Sequence, residues 1–192
     1  MKKIGVLALQ GAVSEHIDRL ERLGNVQASA VKYKEELDEL DGLIIPGGES
    51  TAIGLLLKNY SLINPIRKRI QEGMGVWGTC AGMILLAKEL ADDSARHLCM
   101  MDICVRRNAY GRQLESFSVE ADVPAVAEHP VPLVFIRAPY VEKAGEGVEV
   151  LLEIQGNVVA CREKNMLATS FHPELTEDLS FHRYFVNKVC SR

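Results

Sequence analysis

Short apolar runs alternate with mixed polar and apolar stretches along the first half of the chain, the pattern of a parallel sheet layered between helices. Lys3–Leu9, Val26–Lys32, Gly42–Ile45 and Met74–Gly78 read as strands. Between them, Ser14–Leu23 reads as a helix that stops at Gly24, and Thr51–Gln71 is helical with a break near Ser61–Pro65. A further helix is expected from Ala81 to Glu89. Beyond it, Ile103–Arg107, Leu114–Glu120, Leu133–Ile136, Val148–Ile154, Asn157–Arg162 and Met166–Phe171 read as β, and Glu177–Cys190 closes as a helix. The alternation predicts an α/β fold on an open, mostly parallel, doubly wound sheet, and the later run of strands implies a short antiparallel extension. The Asp92-Asp93 stretch reads as a polar connection, and no repeat, low-complexity tract or linker interrupts the pattern.

With 192 residues, 47% hydrophobic and 25% charged, the chain can bury one sizeable core, so a single domain over residues 1–192 is expected. A net charge of −4 with no run of lysine or arginine argues against nucleic acid or an anionic membrane as a partner. The apolar run from Ile4 to Leu9 is too short to span a bilayer, is broken by Gln10-Gly11 and carries no small-residue cleavage site; it reads as a first strand. Five cysteines with no Cys-x-x-Cys pair and no clustered histidines suit reduced thiols in a cytoplasmic protein better than disulfides or structural zinc. Neither a metal nor a cofactor is expected. Cys99, Cys104, Cys161 and Cys190 lie in apolar or helical surroundings as small packing residues, which leaves Cys80 as the outlier.

Val76-Trp77-Gly78-Thr79-Cys80-Ala81-Gly82 sets that cysteine between small residues where a buried strand turns into a helix. A Gly-x-Cys-x-Gly turn is the thiol counterpart of a nucleophile elbow, crowded in its backbone and exposed at its side chain. At the helix N-terminus, unpaired N–H groups and the dipole favour thiolate over thiol. Near the other end, Met166–Phe171 runs into His172-Pro173-Glu174. In an extended segment residues two apart point the same way, so His172 and Glu174 are expected to share a face as a base and the carboxylate that orients it. Alone, such a pair is more often a strand-end histidine beside a solvated glutamate; with the cysteine turn it forms a candidate triad. Pro46-Gly47-Gly48-Glu49-Ser50-Thr51 follows a third buried strand, with glycine backbone free to aim N–H groups and a Ser/Thr pair suited to start a helix. The N–H groups of Gly48 and Ala81 are the candidate oxyanion donors. All these residues, with Gln10, sit at the carboxyl ends of strands, where open α/β sheets bind ligands at a switch in strand order.

Taken together and in this order, Pro46-Gly47-Gly48, Gly78-Thr79-Cys80-Ala81-Gly82 and His172-Pro173-Glu174 resemble the oxyanion strand, elbow and base-orienter pair of triad-type glutamine amidotransferases, whose class I members have a flavodoxin-like fold. Ile4–Gly11, Pro46–Thr51, Arg107–Gln113, Phe135–Pro139 and Ser170–Thr176 resemble the glutaminase subunits of pyridoxal 5′-phosphate synthases over nearly the whole chain, and the arginine-containing Arg107–Gln113 and Phe135–Pro139 are the segments that narrow it to this branch. Ala52 stands where a second threonine is usual, Cys99 where glycine is expected, and Tyr140 where histidine or arginine often follows Ala138-Pro139; none is a triad residue. The resemblance implies that L-glutamine is bound by Gly48, Glu49, Ser50, Arg107, Ile136 and Arg137, with Ile136 acting through its backbone. It also implies hydrolysis through a thioester on Cys80, with ammonia passed to a barrel-type synthase subunit that forms pyridoxal phosphate and activates the glutaminase. A glutaminase serving imidazole-glycerol phosphate or purine synthesis would keep the triad and differ in the arginine segments. A redox-sensing protein on the same fold would keep the thiol without needing His172 and Glu174.

Overall fold

Gly42–Ile45 (β3) and Gly75–Thr79 (β4) are buried at every position, as strands covered on both faces must be, and they form the middle of the sheet. The structure is a computed structural model that describes residues 1–107 and 116–190. Residues 108–113 of the arginine-containing segment and Leu114, the expected start of a strand, lie outside the described residues. Lys2–Leu7 (β1) pairs in parallel with Val26–Val31 (β2) on one side and with β3 on the other. Next, β3 pairs with β4, and β4 with Met166–Thr169 (β12), all in parallel. This parallel half is the expected doubly wound sheet.

The same sheet continues antiparallel through Asn157–Glu163 (β11), Tyr140–Ala144 (β9) and Met101–Arg106 (β6), with Glu149–Ile154 (β10) also paired to β11. Ser116–Ala121 (β7) and Val131–Ile136 (β8) make a separate two-stranded antiparallel sheet. In β8, Val131, Leu133 and Phe135 point inward, and Phe135 stacks on Phe117 of β7 with ring centroids 4.6 Å apart.

Helices cover both faces. Val13–Glu21 (α1), Ser50–Asn59 (α2) and Ala81–Leu86 (α4) each follow a strand or its turn, and Ile63–Gln71 (α3) follows α2. Successive strand residues feed opposite layers: Leu43, Ile45 and Val76 pack with Leu57 and Ile66, whereas Ile44 and Trp77 pack with Phe181 and Phe185. No helix among the described residues is long and apolar enough to cross a membrane.

Two helices differ from expectation, and two strands stand where none was expected. The helix from Ala81 ends at Leu86, because Ala87 turns extended (ψ 140°) and Ala87–Leu90 (β5) pairs in parallel with β6. β9 was not anticipated, since only Val141 of its five residues is buried and no alternation marks it. The terminal helix starts late, at Ser180–Tyr184 (α5), where Asp178 Oδ1 accepts the Ser180 N–H at 2.8 Å. It then widens to a π-helical turn over Phe185–Val189.

Candidate active site

Three neighbouring strands deliver the candidate site at their carboxyl ends. β3 leads into Gly47-Gly48, β4 into Cys80, and β12 into His172; the register sets Ile45 beside Gly78 and Thr169 beside Thr79. The Cys80 N–H donates to the Thr169 carbonyl at 2.8 Å, and the His172 N–H to the Val134 carbonyl of β8 at 2.8 Å. Together with Gln10 after β1, the crevice reaches from the switch in strand order between β1 and β3 across to β12.

Cys80 has φ 50° and ψ −106°, a sparsely populated conformation for a side-chain-bearing residue that stores about 1–3 kcal/mol. The chain is forced into it by the crossing of strand, elbow and helix. A Cβ on Gly82 would stand 2.1 Å from the Ile45 carbonyl oxygen, and one on Gly78 would stand 2.4 Å from the Gly82 backbone. Both flanking glycines are therefore required by close packing, and the strained Cys80 backbone turns the thiol toward the crevice.

The base sits directly across. A Cβ on Gly47 would come 2.7 Å from His172 Cε1 and 3.2 Å from Cys80 Cβ, so the imidazole and the cysteine share the space above that glycine. Cys80 Sγ lies 3.8 Å from the Ile136 carbonyl oxygen, which accepts its hydrogen. His172 Nδ1 donates to Glu174 Oε1 at 2.7 Å. The backbone that makes this pair is not the extended segment expected: Pro173–Leu175 is a 3₁₀ turn, with the proline at its first position and the Leu175 N–H bonded to the His172 carbonyl at 3.2 Å. The tight turn brings the Glu174 carboxylate back onto its own histidine, under cover, with 1% of the residue exposed. Arg19 holds the turn from α1, donating from Nε to the Thr176 carbonyl at 2.7 Å.

Burial alone would lower the His172 pKa, but its contacts with Cys80 and Glu174 outweigh that and raise it to about 10. For Glu174, burial pushes upward, and the His172 hydrogen bond prevails to hold it below the ordinary carboxylate range. The imidazole is thus built to carry a proton that its two neighbours stabilise.

A cleft of about 420 Å³ opens over this pair. It is lined by Gly48, Glu49, Ser50, Cys80, Ala81, Arg107, Ile136, Arg137 and His172, with Ile84 and Pro139 completing the wall. Glu174 lies behind His172 and does not line it. Glu49 caps α2, its carboxylate accepting the N–H groups of Thr51 and Ala52 at 3.0 and 2.7 Å, which lowers its pKa. Capping therefore falls to Glu49, not to the Ser50-Thr51 pair, because Ser50 is already the first helical residue. Arg137 follows β8 with φ 46°. A hollow of about 560 Å³ between Lys34, Asp38 and Lys68 is larger, yet no thiol or imidazole lines it. Among the described residues, no three His, Cys, Asp or Glu side chains group as metal ligands.

The sequence profile of the SNO glutamine amidotransferase family matches residues 6–191. The chain belongs to the SNO glutamine amidotransferase family. This amidotransferase is 62% identical over 189 residues to pyridoxal 5′-phosphate synthase subunit PdxT of Ruminiclostridium cellulolyticum, covering 98% of this chain and 100% of that one. It is 52% identical over 188 residues to the subunit of the same name in Clostridium botulinum, covering 98% and 97% of the two chains. A crystal structure of a glutamine amidotransferase aligns with it at a TM-score of 0.91 and 46% identity, covering 97% of this chain and 98% of that one.

Two supports of the amidotransferase cleft carry weaker sequence signals. Asp92 and Asp93, which read as a mere connection, pair with Arg107 at 3.6 and 2.9 Å and steer its guanidinium toward the cleft. Gln10 Oε1 accepts the Glu49 N–H at 2.7 Å and would meet a Cβ on Gly48 at 2.9 Å, so the end of β1 braces the glycine loop. Adjacent acids near a lone arginine were the available signal for the first; for Gln10 it was its place at a strand's carboxyl end.

Proposed function

We infer that this chain hydrolyses L-glutamine to L-glutamate and ammonia, as the glutaminase subunit of a pyridoxal 5′-phosphate synthase. The observation that carries the reading is a cysteine, a doubly supported imidazole and an arginine-walled cleft at the carboxyl ends of the central strands, in a chain 62% identical to PdxT over nearly its full length. Cys80 passes its thiol proton to His172 and the thiolate attacks the side-chain amide carbon; the resulting oxyanion is held by the N–H groups of Gly48 and Ala81, each worth about a hundredfold or more in rate. His172, which Cys80 and Glu174 help to hold protonated, gives that proton to the departing nitrogen; the C–N bond breaks and ammonia leaves a thioester on Cys80. His172, now neutral, takes a proton from water as its oxygen attacks the thioester carbon, then returns that proton to sulfur as glutamate departs. Glu174 keeps the imidazole in the tautomer and orientation both steps need.

Arg107 and Arg137 supply cationic donors for the substrate carboxylate, and the Ile136 carbonyl and the Glu49 side chain offer acceptors for its ammonium. On this reading the chain is one glutaminase domain of the cytoplasm, and its partner is a barrel-type synthase subunit that consumes the ammonia. Contact of that partner with the Gln10-Gly11 loop, which braces Gly48, favours the orientation in which the Gly48 amide meets the oxyanion.

The test is ammonia release from glutamine, with and without a pyridoxal 5′-phosphate synthase partner subunit, together with mass spectrometry after exposure to an electrophilic glutamine analogue. Glutamine-protectable alkylation of Cys80 and partner-stimulated turnover are expected. No ammonia release in the presence of the partner would overturn the reading.

A further inference from the structure

Behind the site's carboxylate lies a second pair of imidazoles that no step above uses. His16 on α1 and His182 on α5 are both 0% exposed. Nδ1 of His16 and Nε2 of His182 are 3.0 Å apart. On its other side, His16 Nε2 faces Glu174 Oε2 at 3.4 Å and Thr79 Oγ1 at 3.5 Å. The Trp77 indole meets both rings edge-on, with centroids 5.9 Å from His16 and 5.0 Å from His182. A continuous file of side chains therefore runs from Cys80 through His172, Glu174 and His16 to His182.

Burial and the facing carboxylate together favour one arrangement of the hydrogens. Desolvation keeps both buried rings neutral, with pKa values of about 3. A neutral imidazole has one N–H and one lone pair. Opposite a carboxylate, the hydrogen is favoured on His16 Nε2, since a lone pair there would repel Oε2 and the Thr79 hydroxyl can accept as readily as donate. Its Nδ1 is then an acceptor, and the hydrogen between the two rings belongs to His182 Nε2. This leaves His182 Nδ1 bare, and that atom has no hydrogen-bond partner among the described residues; a lone pair is the cheaper group to leave unmatched. Oε2 is buried with no hydrogen-bond partner among the described residues, so at 3.4 Å His16 Nε2–H acts on it as an oriented dipole and not as a hydrogen bond.

On the glutaminase assignment, on which this rests, we propose that His16, locked in the Nε2–H tautomer by His182, is a positioning residue for the triad. It fixes the far oxygen of Glu174, and thereby holds the near oxygen on His172 and the imidazole against Cys80. Burying two imidazoles in an apolar layer is costly, and an aliphatic pair would pack there without that cost. Retaining them is explained by the carboxylate they face. The other titratable or charged groups that bear on the pair are His172, beside Glu174, and Arg19 of α1.

The test compares His16→Leu, which removes the donor, with His16→Gln, whose amide nitrogen can reach the place of Nε2. Both are assayed as the full chain with the synthase partner subunit. His16→Leu is expected to lower kcat by roughly 10- to 100-fold through misplacement of the base, with KM within about twofold. It also moves the acid limb of the kcat–pH profile upward by about one unit, because Glu174 protonates more readily without the facing dipole. His16→Gln recovers most of the rate and returns the acid limb. Nitrogen-15 NMR of histidine-labelled wild type reads the tautomer independently of any variant, and decides the matter if His16→Leu does not fold. His16 protonated at Nε2 with a bare Nδ1 is expected. A wild-type rate and pH profile in His16→Leu, a glutamine variant no better than the leucine one, or an Nδ1–H tautomer would each overturn the proposal. Wild type that releases no ammonia would instead sink the glutaminase assignment itself.

Discussion

Gly47 lacks a side chain where one would occupy the space of the reacting pair, 2.7 Å from His172 Cε1. Gly47→Ala must displace an imidazole that Glu174 holds from behind, so we expect it to lose roughly 100-fold in kcat while costing the fold about 1–3 kcal/mol. Steady-state kinetics beside a thermal melt checks this, and a kcat near that of wild type would place His172 elsewhere. Cys80→Ala should abolish glutamate formation with the melt little changed, since it removes one sulfur from the wall of the cleft and leaves the backbone as it is. Loss of the base in His172→Asn should cost nearly as much. Glu174→Gln should cost less than either, by about an order of magnitude or more, because an orienting group is supportive. Normal turnover in Cys80→Ala would end the thioester mechanism.

At the scale of elements, the elbow depends on Gly82 lying against β3. Gly82→Ala sets a methyl 2.1 Å from the Ile45 carbonyl oxygen, a backbone atom that cannot step aside, so β3 and α4 must part. The expected result is a melting point lower by several degrees, roughly 2–4 °C per kcal/mol for a domain this size, with ammonia release lost alongside. The glycine-flanked cysteine was legible in the sequence because such crowding admits few residue types. The His172–Glu174 pairing was legible as a pair and misread as an extended segment, since Pro173 suits a strand end and the first position of a 3₁₀ turn equally well. Whereas β5 was hidden inside the expected helix, the parallel strands β1, β3, β4 and β12 were readable from unbroken apolar runs. β9 was not, because pairing on both edges makes Glu142 and Lys143 strand residues with no alternation to announce them. The His16–His182 pair was illegible for another reason: its members stand 166 positions apart, and only the packing of α1 against α5 joins them.

For the molecule as a whole, the buried imidazoles predict how stability follows pH. His16 and His182 titrate near 3 when folded and near 6.5 when unfolded, so below 6.5 the unfolded chain binds more protons; their contribution is present above that pH and lost as it falls. His172, raised to about 10, works in the opposite sense: its contribution is present below 6.5 and lost as pH rises through about 10. Denaturant unfolding across this range should show greatest stability near pH 6.5, and His182→Phe should flatten the acid side; an acid side as steep as that of wild type would mean that other groups control it. The cleft itself is assembled from two sources. Cys80, His172 and Gly48 leave strands of the parallel half, whereas Arg107 follows β6 in the antiparallel half and Ile136 ends β8 in the separate hairpin. Arg107→Lys should accordingly raise the KM for glutamine about tenfold, by losing a planar bidentate donor, and leave kcat within a few-fold. Heredity can then treat the two separately: a lineage is free to rewrite the arginine-bearing rim, and so the amide donor it admits, while passing on unaltered the crowded strand ends where the bond is broken.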